Sequence, residues 1–176
     1  MENPLKVVNL IDRLGVGGAE MMLWKLASRM NRERCRSVVI SLLDGGELSG
    51  LLHAAGVPVW TAGMRRGRLP MRSLLRLIRR VRAEAPDILQ TWMYTADFVG
   101  ALVGRWLAVP VIWNVRRANP WAGAASLATR VAQRACKHLA RWPAVVLANS
   151  RAGVAGHTRA GYRPRAWRVI PNGSTK

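Results

Sequence analysis

Lys6-Val7-Val8-Asn9-Leu10-Ile11-Asp12-Arg13-Leu14-Gly15-Val16-Gly17-Gly18-Ala19-Glu20 is the stretch that decides the fold. Residues 6–11 form a short, mostly apolar run, which reads as a strand buried on both faces. Asp12 to Gly18 is a glycine-rich turn. Ala19, Met22, Leu23, Leu26, Ala27 and Met30 then recur at helical spacing, so 19–30 reads as a helix with one apolar face. A strand, a glycine turn and a helix, in that order, open a parallel sheet with a ligand edge.

The alternation continues to the end of the chain. Strands are predicted at 37–42, 57–61, 87–91, 111–115, 144–148 and 167–170. Between them lie helices at 47–55 (stopped by Gly56), 71–84, 96–107, roughly 122–141, and one after Ser150, which has the chemistry of an N-cap. In the helix at 71–84, Met71, Leu74, Leu75, Ile78 and Val81 are assigned to the inner face. Arg72, Arg76, Arg79 and Arg80 are assigned to the outer one. Apolar strands separated by helices indicate a doubly wound parallel α/β sheet of about seven strands with helices on both faces. No repeat, low-complexity tract or linker interrupts residues 1–173, which read as one domain, with 174–176 as the start of a linker.

Half of the 176 residues are apolar and 21% are charged, a globular balance. The charge itself is lopsided, with 28 basic residues against 9 acidic ones and a net charge of +19. Such a field attracts polyanions, whether nucleic acid, anionic lipid or phosphorylated substrates. The bias of these residues towards arginine favours planar, bidentate contact with phosphate. Cys35 and Cys136 are far apart and show no metal-ligand spacing, and no metal site is read in the chain. The amino-terminal segment lacks the pattern of a secretory signal, and the apolar region 98–115 is interrupted by Arg105, Pro110 and Asn114. A cytoplasmic protein is the expectation.

In parallel sheets ligands bind beyond the carboxyl ends of the strands. That rule singles out the turns at 12–18, 43–46, 92–95, 115–120 and 149–150. In the first, glycines allow close backbone approach and the following helix offers free N–H groups to a phosphate. A P-loop would need Gly-Lys-Ser/Thr, and a dinucleotide fingerprint would place its third glycine where Glu20 stands. Asp44 follows the second strand, where an acid could meet a ribose.

Four segments, in order and spacing, give a specific resemblance. They are Gly15-x-Gly17-Gly18-Ala19-Glu20; Gln90-Thr91-Trp92-Met93-Tyr94-Thr95-Ala96-Asp97; Val109-Pro110-Val111-Ile112-Trp113-Asn114-Val115-Arg116; and Val146-Leu147-Ala148-Asn149-Ser150, the last followed by Gly161-Tyr162 and Arg168-Val169-Ile170-Pro171-Asn172-Gly173. Together they resemble the first lobe of retaining glycosyltransferases of family 4, the two-lobed GT-B enzymes with a Gly-Gly-x-Glu loop.

The resemblance implies a Rossmann-like acceptor-side lobe and a second lobe that binds a nucleotide-sugar, a UDP- or GDP-sugar, as substrate; no cofactor is implied. Gly15, Gly17 and Gly18 would approach the donor diphosphate. Trp92, Tyr94, Thr95, Asn114, Arg116 and Ser150 would line the acceptor cleft. Thr95 stands where the family often carries histidine, which leaves Asp97 as the nearest carboxylate for a catalytic role; a helix-capping role is its alternative. The acceptor would be a glycan or lipid-linked glycan of cell-envelope polysaccharide or glycolipid synthesis. Without the second lobe, these residues are expected to turn over little or nothing.

Two other classes compete. A basic nucleic-acid-binding α/β module would follow from the charge, but no nucleic-acid motif accompanies it. A dinucleotide-binding oxidoreductase would follow from the glycine turn. The helices at 71–84 and 122–141, with Trp121 and Trp142 flanking the second, join apolar and basic faces. This leaves open peripheral contact with the inner face of an anionic membrane.

Overall fold

The computed structural model describes residues 3–43, 45–65, 70–121 and 126–172. Asp44, residues 66–69, the first residues expected in the helix at 122–141, and the linker at 174–176 lie outside the described residues.

Seven strands run in parallel: β1 (Leu5–Ile11), β2 (Cys35–Ser41), β3 (Val59–Thr61), β4 (Ile88–Trp92), β5 (Val111–Val115), β6 (Val145–Ala148) and β7 (Trp167–Val169). Their order is β3-β2-β1-β4-β5-β6-β7. Successive strands first step one way from β1, then the chain returns to its other side. The order therefore reverses between β1 and β4, and a crevice opens there at the carboxyl edge. Six helices connect the strands: α1 (Gly18–Arg29), α2 (Glu47–Ala54), α3 (Met71–Glu84), α4 (Tyr94–Leu107), α5 (Leu127–Leu139) and α6 (Arg151–Arg159).

Two cores lie on opposite faces of the sheet. Ile11, Val39 and Trp92 pack with Leu23 of α1 and with Leu48 and Leu52 of α2. Val8, Leu10, Leu89 and Trp113 pack with Leu77 of α3, Val99 of α4 and Cys136 of α5. The assignment follows from period two in the strands, where neighbouring residues face opposite layers. It is the doubly wound α/β sheet expected from the alternating pattern.

α4 fits most closely, because Gly100 and Gly104 let its backbone approach the strands. A Cβ on Gly100 would run into Thr91, and one on Gly104 into Val111. α3 turns out rotated from the sequence expectation. Ser73, Leu77 and Val81 face the sheet, while Met71 and Leu75 are exposed. Arg80 is not simply solvated: its guanidinium stacks over Trp60 at 3.4 Å and it pairs with Glu84. α5 begins at Leu127, five residues after its expected start, where the Ser126 hydroxyl accepts the Thr129 N–H.

Candidate functional site

The glycine turn is held from below by the β2–α2 connection and the start of α2. Leu43 and Leu48 donate backbone N–H bonds to the carbonyls of Asp12 and Leu14, at 2.9 and 3.1 Å. Gly46 lies flat against Leu14, where a Cβ would collide with its carbonyl. Gly17 is the N-cap of α1, in extended conformation with φ −157°. Its outer face is covered by the Glu20 carboxylate, whereas the position of a Cβ on Gly18 is open. Gly15 meets only the Arg13 side chain. The turn thus offers an open helix N-terminus at Gly18, with Glu20 beside it as an internal anion.

Strand register brings the other predicted residues together. Ile11, Trp92, Asn114 and Leu147 stand abreast on β1, β4, β5 and β6. Trp92 is buried; its indole N–H donates to Asn9 Oδ1 at 3.0 Å, and Asn9 Nδ2 donates to Ser37 Oγ at 2.8 Å. Arg116, two residues beyond Asn114 and on the same face, stands over the Trp92 ring at 5.2 Å. Burial lowers the pKa of its guanidinium. Its Nε and the Asn114 Oδ1 are buried without hydrogen-bond partners. Both orphans lie at the carboxyl end of β5, and such groups are what a polar ligand would satisfy.

Thr91 and Asp97 lie under the opposite face. Thr91 Oγ1 donates to Asp97 Oδ1 at 2.5 Å, and both residues are fully buried. Desolvation pushes the Asp97 carboxyl well above its ordinary range, with nearby Asp12 adding to the effect; Thr91 and the Asn114 backbone N–H pull the other way. Asp97 Oδ2 has no hydrogen-bond partner. Asp97 therefore sits buried beneath the rim, tied to Thr91 and to the Asn114 backbone.

The remaining predicted residues separate. Tyr94, expected in the acceptor cleft, is instead buried in the core, with its hydroxyl 3.1 Å from His157 Nε2. The His157 Nδ1 faces the Gly153 carbonyl at 2.8 Å, and burial lowers the histidine's pKa. Nδ1 is thus the protonated nitrogen and Nε2 accepts from Tyr94. Thr95 is half-buried in the first turn of α4. Ser150 accepts the Gly153 N–H at 3.1 Å as the N-cap of α6. Among the described residues no three His, Cys, Asp or Glu side chains gather.

Three features escaped sequence reasoning. Asn9, a polar residue inside an apolar strand, was the readable signal for its bond to Trp92. The Glu20 carboxylate over Gly17 had a weaker signal, an acid at the third helical position. Met93 had none: it takes φ 72° and ψ 168° between β4 and α4, a strained conformation for a residue with a side chain.

The family model described as Glycosyltransferase Family 4 matches residues 16–174. This chain belongs to that family. Its lobe superposes on Anabaena HepE (Alr3699) solved with UDP at a TM-score of 0.76 and 21% identity, covering 97% of this chain and 44% of that one. The same protein with UDP-glucose gives 0.75 and 24%, with the same coverage. Acinetobacter baumannii MurG gives 0.64 and 17%, covering 98% of this chain and 47% of that one. A putative UDP-N-acetylglucosamine 2-epimerase from Listeria monocytogenes gives 0.65 and 12%, covering 96% and 45%. The chain thus spans under half the length of these proteins. A putative epimerase shares the fold, so the fold by itself sets no activity. No curated protein matches the sequence.

Proposed function

We propose that this family 4 lobe forms the acceptor side of a retaining, nucleotide-sugar-dependent glycosyltransferase. The observation that carries the reading is the open N-terminus of α1 at Gly18, on the same carboxyl edge of the sheet as the buried and unpartnered Arg116 Nε and Asn114 Oδ1 at the end of β5. A donor diphosphate fits the first feature, since helix N-terminal amides favour phosphate. A hydroxyl- or phosphate-bearing acceptor fits the second. When the glycosidic bond of the donor breaks, negative charge grows on the leaving phosphate, and fixed amides at Gly17 and Gly18 stabilise it. Nucleotide-sugars are the donor class because the Anabaena relative is solved with UDP-glucose. UDP is favoured over GDP on the same ground.

The acceptor class is a glycan or lipid-linked glycan of the cell envelope, and a cytoplasmic site supplied by a second lobe completes the enzyme. The test titrates a UDP-sugar against this chain, with and without a second lobe from a UDP-binding relative, and follows sugar transfer. Transfer is expected only with the second lobe. Strong transfer by the 176 residues alone, or none in either case with UDP bound, would overturn the reading.

A further inference from the structure

We propose that Asn9, buried in the middle of β1, is a positioning residue that fixes where Arg116 stands in the crevice, acting through the Trp92 ring; this rests on the reading of the crevice as the acceptor side.

Arg116 is the ligand end of the path. Among the described residues, the one polar or ring contact of its guanidinium is the Trp92 ring, 5.2 Å from it, and its buried Nε has no hydrogen-bond partner. The face of an aromatic ring attracts a guanidinium. The tilt of the ring therefore sets where the unpaired donor points.

The ring has one polar anchor. An indole N–H can only donate, and this one donates to Asn9 Oδ1 at 3.0 Å. Register places Trp92 beside Ile11 and Asn9 beside Gln90, so the indole leans diagonally from β4 across to β1. Because the amide oxygen must face the indole, the amide is held in one orientation. Its Nδ2 donates to Ser37 Oγ on β2, at 2.8 Å. Three neighbouring strands thus hold one ring. Ser37 orients Asn9, Asn9 orients Trp92, and Trp92 carries Arg116.

Packing alone does not call for an amide at this place. Asn9 is 1% exposed and lies between the fully buried Val8 and Leu10. Leucine would fill a similar space without the cost of desolvating an amide. What leucine does not supply is direction. Apolar contacts accept any tilt that fills the space, whereas a hydrogen bond favours a narrow range of angles.

The test compares Asn9→Leu, Ser37→Ala, Ser37→Thr and Trp92→Phe in the isotope-labelled chain. The first readout needs no ligand. It is the Nε–H resonance of Arg116, which the current of the Trp92 ring displaces. This resonance is expected to move in Asn9→Leu and Ser37→Ala, and to stay in place in Ser37→Thr, which keeps the hydroxyl. The second readout is affinity for glucose 1-phosphate, a probe that joins sugar hydroxyls to a phosphate. Asn9→Leu and Trp92→Phe should each weaken it about fivefold, the scale of one hydrogen bond. The double variant should lose no more than either alone, because both changes break the same tie.

Thermal melts check folding, and Ser37→Ala, at a half-buried position, takes the place of Asn9→Leu in both readouts if that variant melts early. Failure of the unaltered chain to bind glucose 1-phosphate would count against the acceptor-side reading, and the ligand-free resonance would then decide the positioning. A lower melting temperature with the Arg116 resonance unmoved would make Asn9 a core residue only and overturn the proposal. Losses of affinity that multiply in the double variant, or a Ser37→Thr chain that behaves as Ser37→Ala, would overturn it as well.

Discussion

The Thr91 hydroxyl donates to the Asp97 carboxylate across 2.5 Å in a place that water does not reach. The bond ties the end of β4 to the first turn of α4, under the β1/β4 crevice. The carboxyl stays protonated well above its ordinary value near 3.8, chiefly because it is buried. The folded state therefore holds a proton that the unfolded chain has already released. Stability should be highest below that ordinary value and decline as pH rises through the native pKa. Asp97→Asn should abolish this decline and raise stability at neutral pH, because the amide carries no titrating proton. Urea melts across pH would show it; an unchanged slope in the variant would place the titration elsewhere.

Met93 holds a conformation that suits glycine, at the joint between β4 and α4. Glycine ordinarily weakens a structure relative to alanine by about 0.5–1 kcal/mol. Here both substitutions lose the same partly buried side chain, but only glycine relieves the strain, worth about 1–3 kcal/mol. Met93→Gly should therefore melt above Met93→Ala. The reverse order in a pair of thermal melts would contradict the strain.

Gly46 has the Leu14 carbonyl where a side chain would go, and backbone cannot move aside cheaply. Gly46→Ala should destabilise by about 1–3 kcal/mol and shift the turn from Asp12 to Gly17. Gly50→Ala, at an open position on the same helix, should cost nothing measurable. Paired denaturation curves test the difference.

Arg116 is partly desolvated and its Nε lacks a partner. Removing it should barely change stability, since the charge is poorly compensated in the isolated lobe. Arg116→Ala should instead weaken binding of a phosphate-bearing acceptor analogue about tenfold or more, the value of a charge-assisted hydrogen bond. Calorimetric titration beside a thermal melt separates the two effects. A large loss of stability with unchanged affinity would make Arg116 a structural residue.

Much of the fold was legible because strand and helix periods differ and the chain keeps to them. The run Val111–Val115 coincides with β5, and the turn expected at 12–18 lies between β1 and α1 except for Gly18, which opens the helix. The facing of α3 was not legible. Its sequence carries apolar residues on both sides, and periodicity counts them without knowing that Ser73 and Leu77 meet the sheet. In the site, Gly18, Asn114 and Arg116 lie at the rim, as their positions at strand ends imply. Trp92 and Tyr94 looked equally suited to a ligand, but their partners, Asn9 and His157, come from 83 and 63 residues away. Such pairings are set by how the layers close: a polar Asn9 in an apolar strand signals the need for a partner, but not that Trp92 is the partner.

The central claim is that backbone amides of the first turn receive a diphosphate. Its most direct test is titration of UDP into the isotope-labelled chain while the amide resonances are followed. The account predicts the largest saturating shifts at Gly17 and Gly18, extending to Glu20 as its carboxylate yields to the phosphate. Shifts confined to the arginines of α3 and α5, with these glycines unmoved at saturating UDP, would contradict it.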